Sequence, residues 1–401
     1  MLALKDCSGE TRRIFWVLLI GRFVNLVGNS LVFPFLTIFL VERLHASLPV
    51  VGLIMAAYGG AQVLSMLVSG ELSDRWGRRK VMISSLTLGG LSTLAVGLSH
   101  SYLAILISLI AMGFTMPLFQ PASMAVIGDL IPGPKLSQAY SAMRMASNAG
   151  IIIGPMIGGF LADHSFFWIF ALDALSSFLF FSVILWTIPE TKPSTAPAAL
   201  SRPAGMKDVL RDRFFLHVAL IWALTSLVYS QLYLVVPAYM HLDLGFAPSA
   251  FGYLAAENAV VVVLFQLPIT RLIEKWPKLP LIGVGVFFYG LGFATLLTSH
   301  RYSIFVLAVF IITIGENIVN PSTSTWVAER AAHQTRGRYM GVFGLANRAG
   351  AAAGPLVGGT LLHWGTVPWL GTIAALGWLA AAGFRHVSRL AHKTPASSLS
   401  S

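Results

Sequence analysis

Long apolar runs recur along this chain, each closed by a short polar or charged segment. Twelve can be read, at about 14–40, 49–70, 81–99, 102–127, 138–162, 166–187, 214–240, 249–271, 280–299, 302–327, 338–362 and 367–385. Each is near the roughly 20 residues that a helix needs to cross the hydrocarbon core of a bilayer. The runs lack the alternation of a barrel strand, so helices are expected, since a helix satisfies its backbone hydrogen bonds within one segment. The first run, from Ile14 to Leu40, is too long for a signal-peptide core and has no cleavage-like ending. It is expected to remain as the first span.

Composition agrees with lipid as the solvent for much of the surface. The 401 residues are 56% hydrophobic and 11% charged, where a soluble domain carries about 25% charged residues. A net charge of +11 gathered in one patch would point to nucleic acid. Here it is scattered between apolar runs, so no nucleic-acid partner is expected, and the charge encodes topology instead. Of the 27 Lys and Arg residues, the segments on one side hold all but five. Arg43 and Arg301 lie on the other side, and Arg22, Arg144 and Arg348 lie within spans. The positive-inside rule then puts both termini in the cytoplasm. Cys7 is the single cysteine, so no intramolecular disulfide is possible.

The chain also repeats itself at an offset of 200 residues. Gly150, Gly154, Pro155, Gly158 and Gly159 fall on Gly350, Gly354, Pro355, Gly358 and Gly359. Asp74, Arg75 and Trp76 fall on Glu274, Lys275 and Trp276, Gln120 and Pro121 on Asn320 and Pro321, and Asp129 on Glu329. Low complexity aligns scattered Gly and Leu but not charges and Trp-Gly-Pro punctuation in one register. The expected organisation is a six-helix bundle over 1–188, a cytoplasmic linker rich in Pro, Ala and Ser over 189–213, and a second bundle with a short tail over 214–401. Parallel repeats of this kind place the substrate path between the halves.

Two segments carry a more specific signal. After the second span the chain reads Gly70-Glu71-Leu72-Ser73-Asp74-Arg75-Trp76-Gly77-Arg78-Arg79-Lys80. Gly70 permits close helix contact, Gly77 permits a tight turn, and Asp74 can pair with a neighbouring arginine or a helix N-terminus. Asp129, at the end of the fourth span, is a candidate partner for Arg78. In the fifth span, Gly150, Gly154, Pro155, Gly158 and Gly159 make a flat groove for a neighbouring helix, with a proline bend. With these residues the sequence resembles the major facilitator superfamily over essentially its whole length, and the fifth-span motif resembles that of its 12-span drug/proton antiporter branch. The resemblance implies an all-α integral membrane fold of twelve transmembrane helices in two pseudo-symmetric six-helix bundles. It also implies that Gly70, Asp74, Arg75, Gly77, Arg78, Arg79, Lys80 and Asp129 form a cytoplasmic latch sampled during alternating access. The copy at Glu274 to Lys278, with Pro277 for Gly77, is expected to keep charge pairing without the same turn. The exporter pattern often has an Arg in the fourth span, but 102–127 holds no charged residue, and Arg144 lies early in the fifth.

Ionisable residues inside a bilayer are costly and face a cavity or a partner. Arg22, Arg144, Asp173, Glu257 and Glu316 are the candidates for proton or substrate binding, with Asn148 and Arg348 also inside spans. Glu316 and Glu257 lead. The family architecture lines its central cavity with the first, fourth, seventh and tenth spans, and Glu316 lies on the tenth. A carboxyl in apolar surroundings can take up and release a proton near neutral pH, as a proton-driven exchanger needs. Phe33, Phe35, Met116, Phe119, Trp222, Tyr229 and Tyr233 on lining spans would suit an adaptable apolar pocket.

No zinc-ligand spacing, nucleotide-binding loop or nucleophile motif occurs, so neither an enzyme nor a metal or cofactor site is expected, and the proton gradient is the expected energy source. The expected function is proton-coupled efflux of small apolar or cationic compounds such as drugs, by a monomer in the inner membrane. A proton-coupled symporter or facilitator of a sugar, organic acid or lipid precursor is the alternative within transport. A membrane sensor without transport is the alternative from another class.

Overall fold

The computed structural model describes residues 8–131, 133–191, 206–330 and 336–393. Cys7 and most of the expected linker lie outside them. All regular structure among the described residues is helical. The long helices are α1 (Gly9–Leu44), α2 (Leu48–Trp76), α3 (Arg78–Leu98), α4 (Tyr102–Leu130), α5 (Gly133–Ala162), α6 (Phe166–Thr187), α7 (Arg213–Asp243), α8 (Pro248–Ile273), α9 (Lys278–Thr295), α10 (Tyr302–Arg330), α11 (Arg336–His363) and α12 (Thr366–Lys393). Eleven are long and apolar enough to cross a membrane. The other is α11, a 28-residue helix in which arginines, Asn347 and several glycines lower the mean hydropathy.

Side-chain caps mark several helix starts. Ser101, Ser165 and Asp212 accept backbone N–H bonds at the starts of α4, α6 and α7, which satisfies donors with no partner inside the helix. Prolines interrupt α1 and α4, where 3₁₀ turns occupy Phe33–Phe35 and Met116–Leu118. Many large apolar side chains point outward, Leu67, Leu103, Val263, Leu267 and Leu220 among them. That pattern suits lipid as solvent, because water would not tolerate so large an apolar surface.

The described residues form two compact units. One takes those of Met1–Ala198 and Val236–Ala256, the other those of Ala199–Val235 and Glu257–Ser401. The repeat is visible in the pairing. In the first unit α1 packs on α5 and α6, and α3 packs on α4 and α6. In the second, α7 packs on α11 and α12, and α9 packs on α10 and α12.

Candidate functional site

The loop between α2 and α3 is built around one glycine and one carboxylate. Gly77 has φ of 101°, and a Cβ there would lie 2.8 Å from the carboxyl carbon of Glu190. Glycine alone meets both demands. The Glu190 carboxylate accepts N–H bonds from Arg78 at 2.8 Å and Arg79 at 3.4 Å. It therefore caps the positive N-terminus of α3. The Arg79 guanidinium donates to the Leu185 carbonyl at 2.6 Å.

Arg78 is paired with Asp129 from the end of α4, the partner expected for it. The Thr191 hydroxyl donates to the same carboxylate at 2.9 Å. Asp74 approaches Arg78 only to 3.9 Å and its side chain is 61% exposed. Arg75 pairs with Glu71 at 2.7 Å on the surface, and Lys80 is exposed. Gly70 does not make the expected close helix contact here, because it lies on the exposed face of α2 with nothing within 4 Å of a Cβ.

The second-half copy differs from expectation as well. Lys278 donates to the Glu274 backbone carbonyl at 2.5 Å, and among the described residues that loop shows no ion pair. Pro277, which replaces the glycine, starts α9 without the turn that brings the first-half charges together. Charge pairing in this half is instead at Arg330 and Asp212, joined by two bonds of 3.0 and 2.9 Å, with the Tyr339 hydroxyl on the same carboxylate.

The glycines of α5 do form a groove. A Cβ on Gly150 would lie 2.9 Å from the Phe23 carbonyl, one on Gly154 2.8 Å from that of Val27, and one on Gly158 2.6 Å from that of Leu31. All three carbonyls belong to α1, so the backbones of α1 and α5 touch along a full face. Ser30 donates to the Gly150 carbonyl at 2.9 Å across the same contact. Pro155 stands inside α5. Gly159 faces elsewhere, with Pro248 and Ser249 about 3.0 Å from its Cβ position. In the second unit Gly350 faces the Ala223 backbone, and Gly354 and Gly358 face Ser230 and Gln231.

Glu316 sits at the centre of a polar cluster in the second unit. Its Oε2 accepts from Asn258 Nδ2 at 3.0 Å, its Oε1 from Asn320 Nδ2 at 3.3 Å, and the Tyr229 hydroxyl is a further donor. Asn258 also donates to Thr313 at 2.8 Å and accepts from the Tyr233 hydroxyl at 3.2 Å. The Tyr229 ring lies 5.9 Å from that of Tyr233 and 5.2 Å from that of Tyr289. The carboxylate is thus held by neutral donors beside three tyrosines. Such a site can take a proton or attract a cation, which aromatic faces also favour.

The other candidates stand apart from it. Glu257 is half-buried, and its Oε2 has no hydrogen bond among the described residues. Asp173 is fully buried in the first unit, where Asn29 donates to its Oδ1 at 3.2 Å, tucked against Gly28 of α1. Arg22 donates to Ser147 and Gln120 at 3.4 Å each and lies over the Phe119 ring. Arg144 and Arg348 are exposed on their helices. Sequence reasoning missed Glu190, Asn258, Tyr289 and the role of Asn320. The last had a signal, because Asn320 follows Glu316 by one helical turn.

The family model of the Major Facilitator Superfamily matches residues 18–256 and 225–399. An MFS-type transporter of Bacillus subtilis, YttB, is 29% identical over 362 residues, covering 88% of this chain and 89% of that protein. The multidrug resistance protein MdtH of Escherichia coli is 27% identical over 363 residues, covering 88% and 89%. A Na(+), Li(+), K(+)/H(+) antiporter of Planococcus maritimus is 26% identical over 379 residues, covering 86% and 89%. Among solved structures, a peptide transporter POT in complex with sulfate superposes with a TM-score of 0.78 at 16% identity, covering 94% of each chain. A bacterial homolog to the human lysosomal transporter Spinster gives 0.78 at 14% identity over 96% of this chain and 98% of that one. The fold is theirs, and this chain, matched along nearly its whole length, belongs to the Major Facilitator Superfamily of membrane transporters.

Proposed function

We propose that the chain exports small apolar or cationic compounds such as drugs in exchange for protons, by alternating access, with Glu316 as the exchanging group. The observation that carries this reading is the Glu316 cluster itself, a carboxylate within a membrane helix held by neutral donors and flanked by tyrosine rings. Proton and organic cation would compete for it, and the cation would also gain from the ring faces. The names of the multidrug and antiporter relatives support the same reading. In this scheme the two repeats of the sequence are the moving bundles. The 70–80 loop with Asp129 latches the cytoplasmic side, both termini are cytoplasmic, and a monomer in the inner membrane works on the proton gradient alone.

Purified protein in liposomes with an imposed pH gradient tests the reading, with ethidium or Hoechst dye as substrate. The wild type is expected to move dye against its gradient and to stop when the proton gradient is collapsed. Glu316→Gln keeps the size and hydrogen bonding of a protonated carboxyl but cannot alternate charge. It is expected to lose gradient-driven transport while retaining energy-independent dye exchange. Gradient-driven transport at the wild-type rate in Glu316→Gln would overturn the assignment.

A further inference from the structure

The repeat assigns Val236–Ala256 to the second half of the sequence, yet the structure packs it into the first unit. Several contacts hold it there. Ser249 N–H donates to Asp163 Oδ1 at 2.9 Å, Gly252 lies against the Pro155 and Met156 carbonyls, and the Phe35 and Phe251 rings meet edge-on at 6.2 Å. The ionic contact is His241. Its Nε2 lies 2.8 Å from Glu42 Oε1, and its Nδ1 lies 2.8 Å from the Phe246 carbonyl oxygen.

With Glu42 ionised, those two distances match one protonation state of the ring. A carbonyl and a carboxylate oxygen only accept, and a neutral imidazole carries one N–H. Both contacts are hydrogen bonds only when the ring is imidazolium. A π-helical turn over Tyr239–Asp243 presents the residue, an irregularity frequent at functional positions. The neighbouring charged groups are otherwise engaged. Arg43 donates to His100 at 2.7 Å and to the Gly97 carbonyl at 2.9 Å, Asp163 is taken by Ser249, and His164 Nδ1 lies 3.1 Å from the Phe160 carbonyl. His45 and, on the same turn, Asp243 are exposed. These groups, Asp243 apart, border a cavity of about 620 Å³, and the His241 side chain is 25% exposed, so protons reach it from solution. Among the described residues no group of these side chains is placed to hold a metal.

We propose that His241 is a proton-binding site, distinct from Glu316, that locks Val236–Ala256 onto the first-unit helices through Glu42. With the proton bound this end stays shut, and losing the proton releases it. The proposal rests on alternating access, in which this end must open. Acid favours the imidazolium that makes both contacts, so the lock holds at acid pH and weakens as pH rises. In the proposed orientation this is the outer face. The acid side that drives export would then also favour resealing the outer gate once substrate has left.

Thiol accessibility in liposomes tests this. Cys7→Ser removes the single cysteine, and Ala255→Cys places a thiol where the side chain is 7% exposed. Its rate with a membrane-impermeant reagent is divided by that of Ala247→Cys, an exposed position in the same segment. The division removes the reagent's own pH dependence. From pH 5.5 to 8.5 the ratio is expected to rise about two- to fivefold, the scale of one partly exposed ion pair. Glu42→Gln and His241→Gln should each flatten the profile. A flat ratio in the parent protein that still responds to ethidium would sink the lock and leave alternating access standing. A ratio that responds to neither pH nor ethidium would sink both. A pH response that survives in both variants would give the titration to another group and overturn the assignment to His241.

Discussion

Gly154 and Gly70 lie on membrane helices of the same unit, and the structure gives the same substitution opposite signs at the two positions. A Cβ added to Gly154 would sit 2.7 Å from Ser30 Cβ and 2.8 Å from the Val27 carbonyl oxygen. Backbone cannot rotate away, so Gly154→Ala must push α1 and α5 apart, and overpacking of this kind costs about 1–3 kcal/mol. The Ser30 hydroxyl also stands in the way while donating to the Gly150 carbonyl. Displacing it adds about 0.5–1.5 kcal/mol for the lost hydrogen bond. The sum is about 1.5–4.5 kcal/mol of destabilisation. Gly154→Leu should do worse and make transport lost or leaky. At Gly70 nothing lies within 4 Å of the new carbon, so Gly70→Ala should stabilise α2 by about 0.5–1 kcal/mol through the gain of Ala over Gly in a helix. Tryptophan fluorescence during heating in detergent reads both variants. The expected order of Tm is Gly70→Ala above wild type and Gly154→Ala well below it. A Gly154→Ala protein that melts with or above the wild type would show that the α1–α5 backbone contact does not limit stability.

Asp129→Asn should lower Tm, by the equivalent of about 1–2 kcal/mol, because Arg78 is only 11% exposed while its partner is partly in water. Asp74→Asn should leave Tm unchanged, given a 3.9 Å approach and high exposure, yet reduce transport severely if Asp74 is engaged in the other state; full activity in a well-expressed variant would refute the latch. Glu190→Gln removes the negative charge from the start of α3 and should cost about 0.5–1 kcal/mol, a loss that shrinks in high salt. Substrate-induced proton release in detergent should disappear in Glu316→Gln and persist, reduced, in Glu257→Gln; unchanged release in the double variant would move coupling to Asp173 or the latch carboxylates.

The spans were legible because lipid leaves little choice, since a helix crossing hydrocarbon must be apolar over its whole length. Side-chain pairing was less so, because it depends on which face of a helix a residue occupies. Glu257 and Asn258 are adjacent, about 100° apart around α8, and it is Asn258 that reaches Glu316. The carboxylate drew attention for its charge, while the amide that does the binding carried no signal of its own. Glu190 caps α3 only because the chain returns to that place after four helices, and no local pattern announces that. The duplicated glycines show what a repeat can and cannot transmit. Gly150 meets the Phe23 carbonyl as Gly350 meets that of Ala223, and Gly154 meets Ser30 as Gly354 meets Ser230, so the close approach of the two helices recurs in register. The polar bond across that contact does not. Both Ser30 and its equivalent Ser230 turn back to their own helix, at Val27 and Leu227, but the Ser30 hydroxyl also reaches the Gly150 carbonyl across the contact. In the second unit Gln231 donates to the Gly354 carbonyl instead and accepts from Trp369. Backbone contact tolerates no added atom, and glycine stands at these positions in both halves. A buried carbonyl needs only some donor, and a neighbouring side chain on the same helix can supply it.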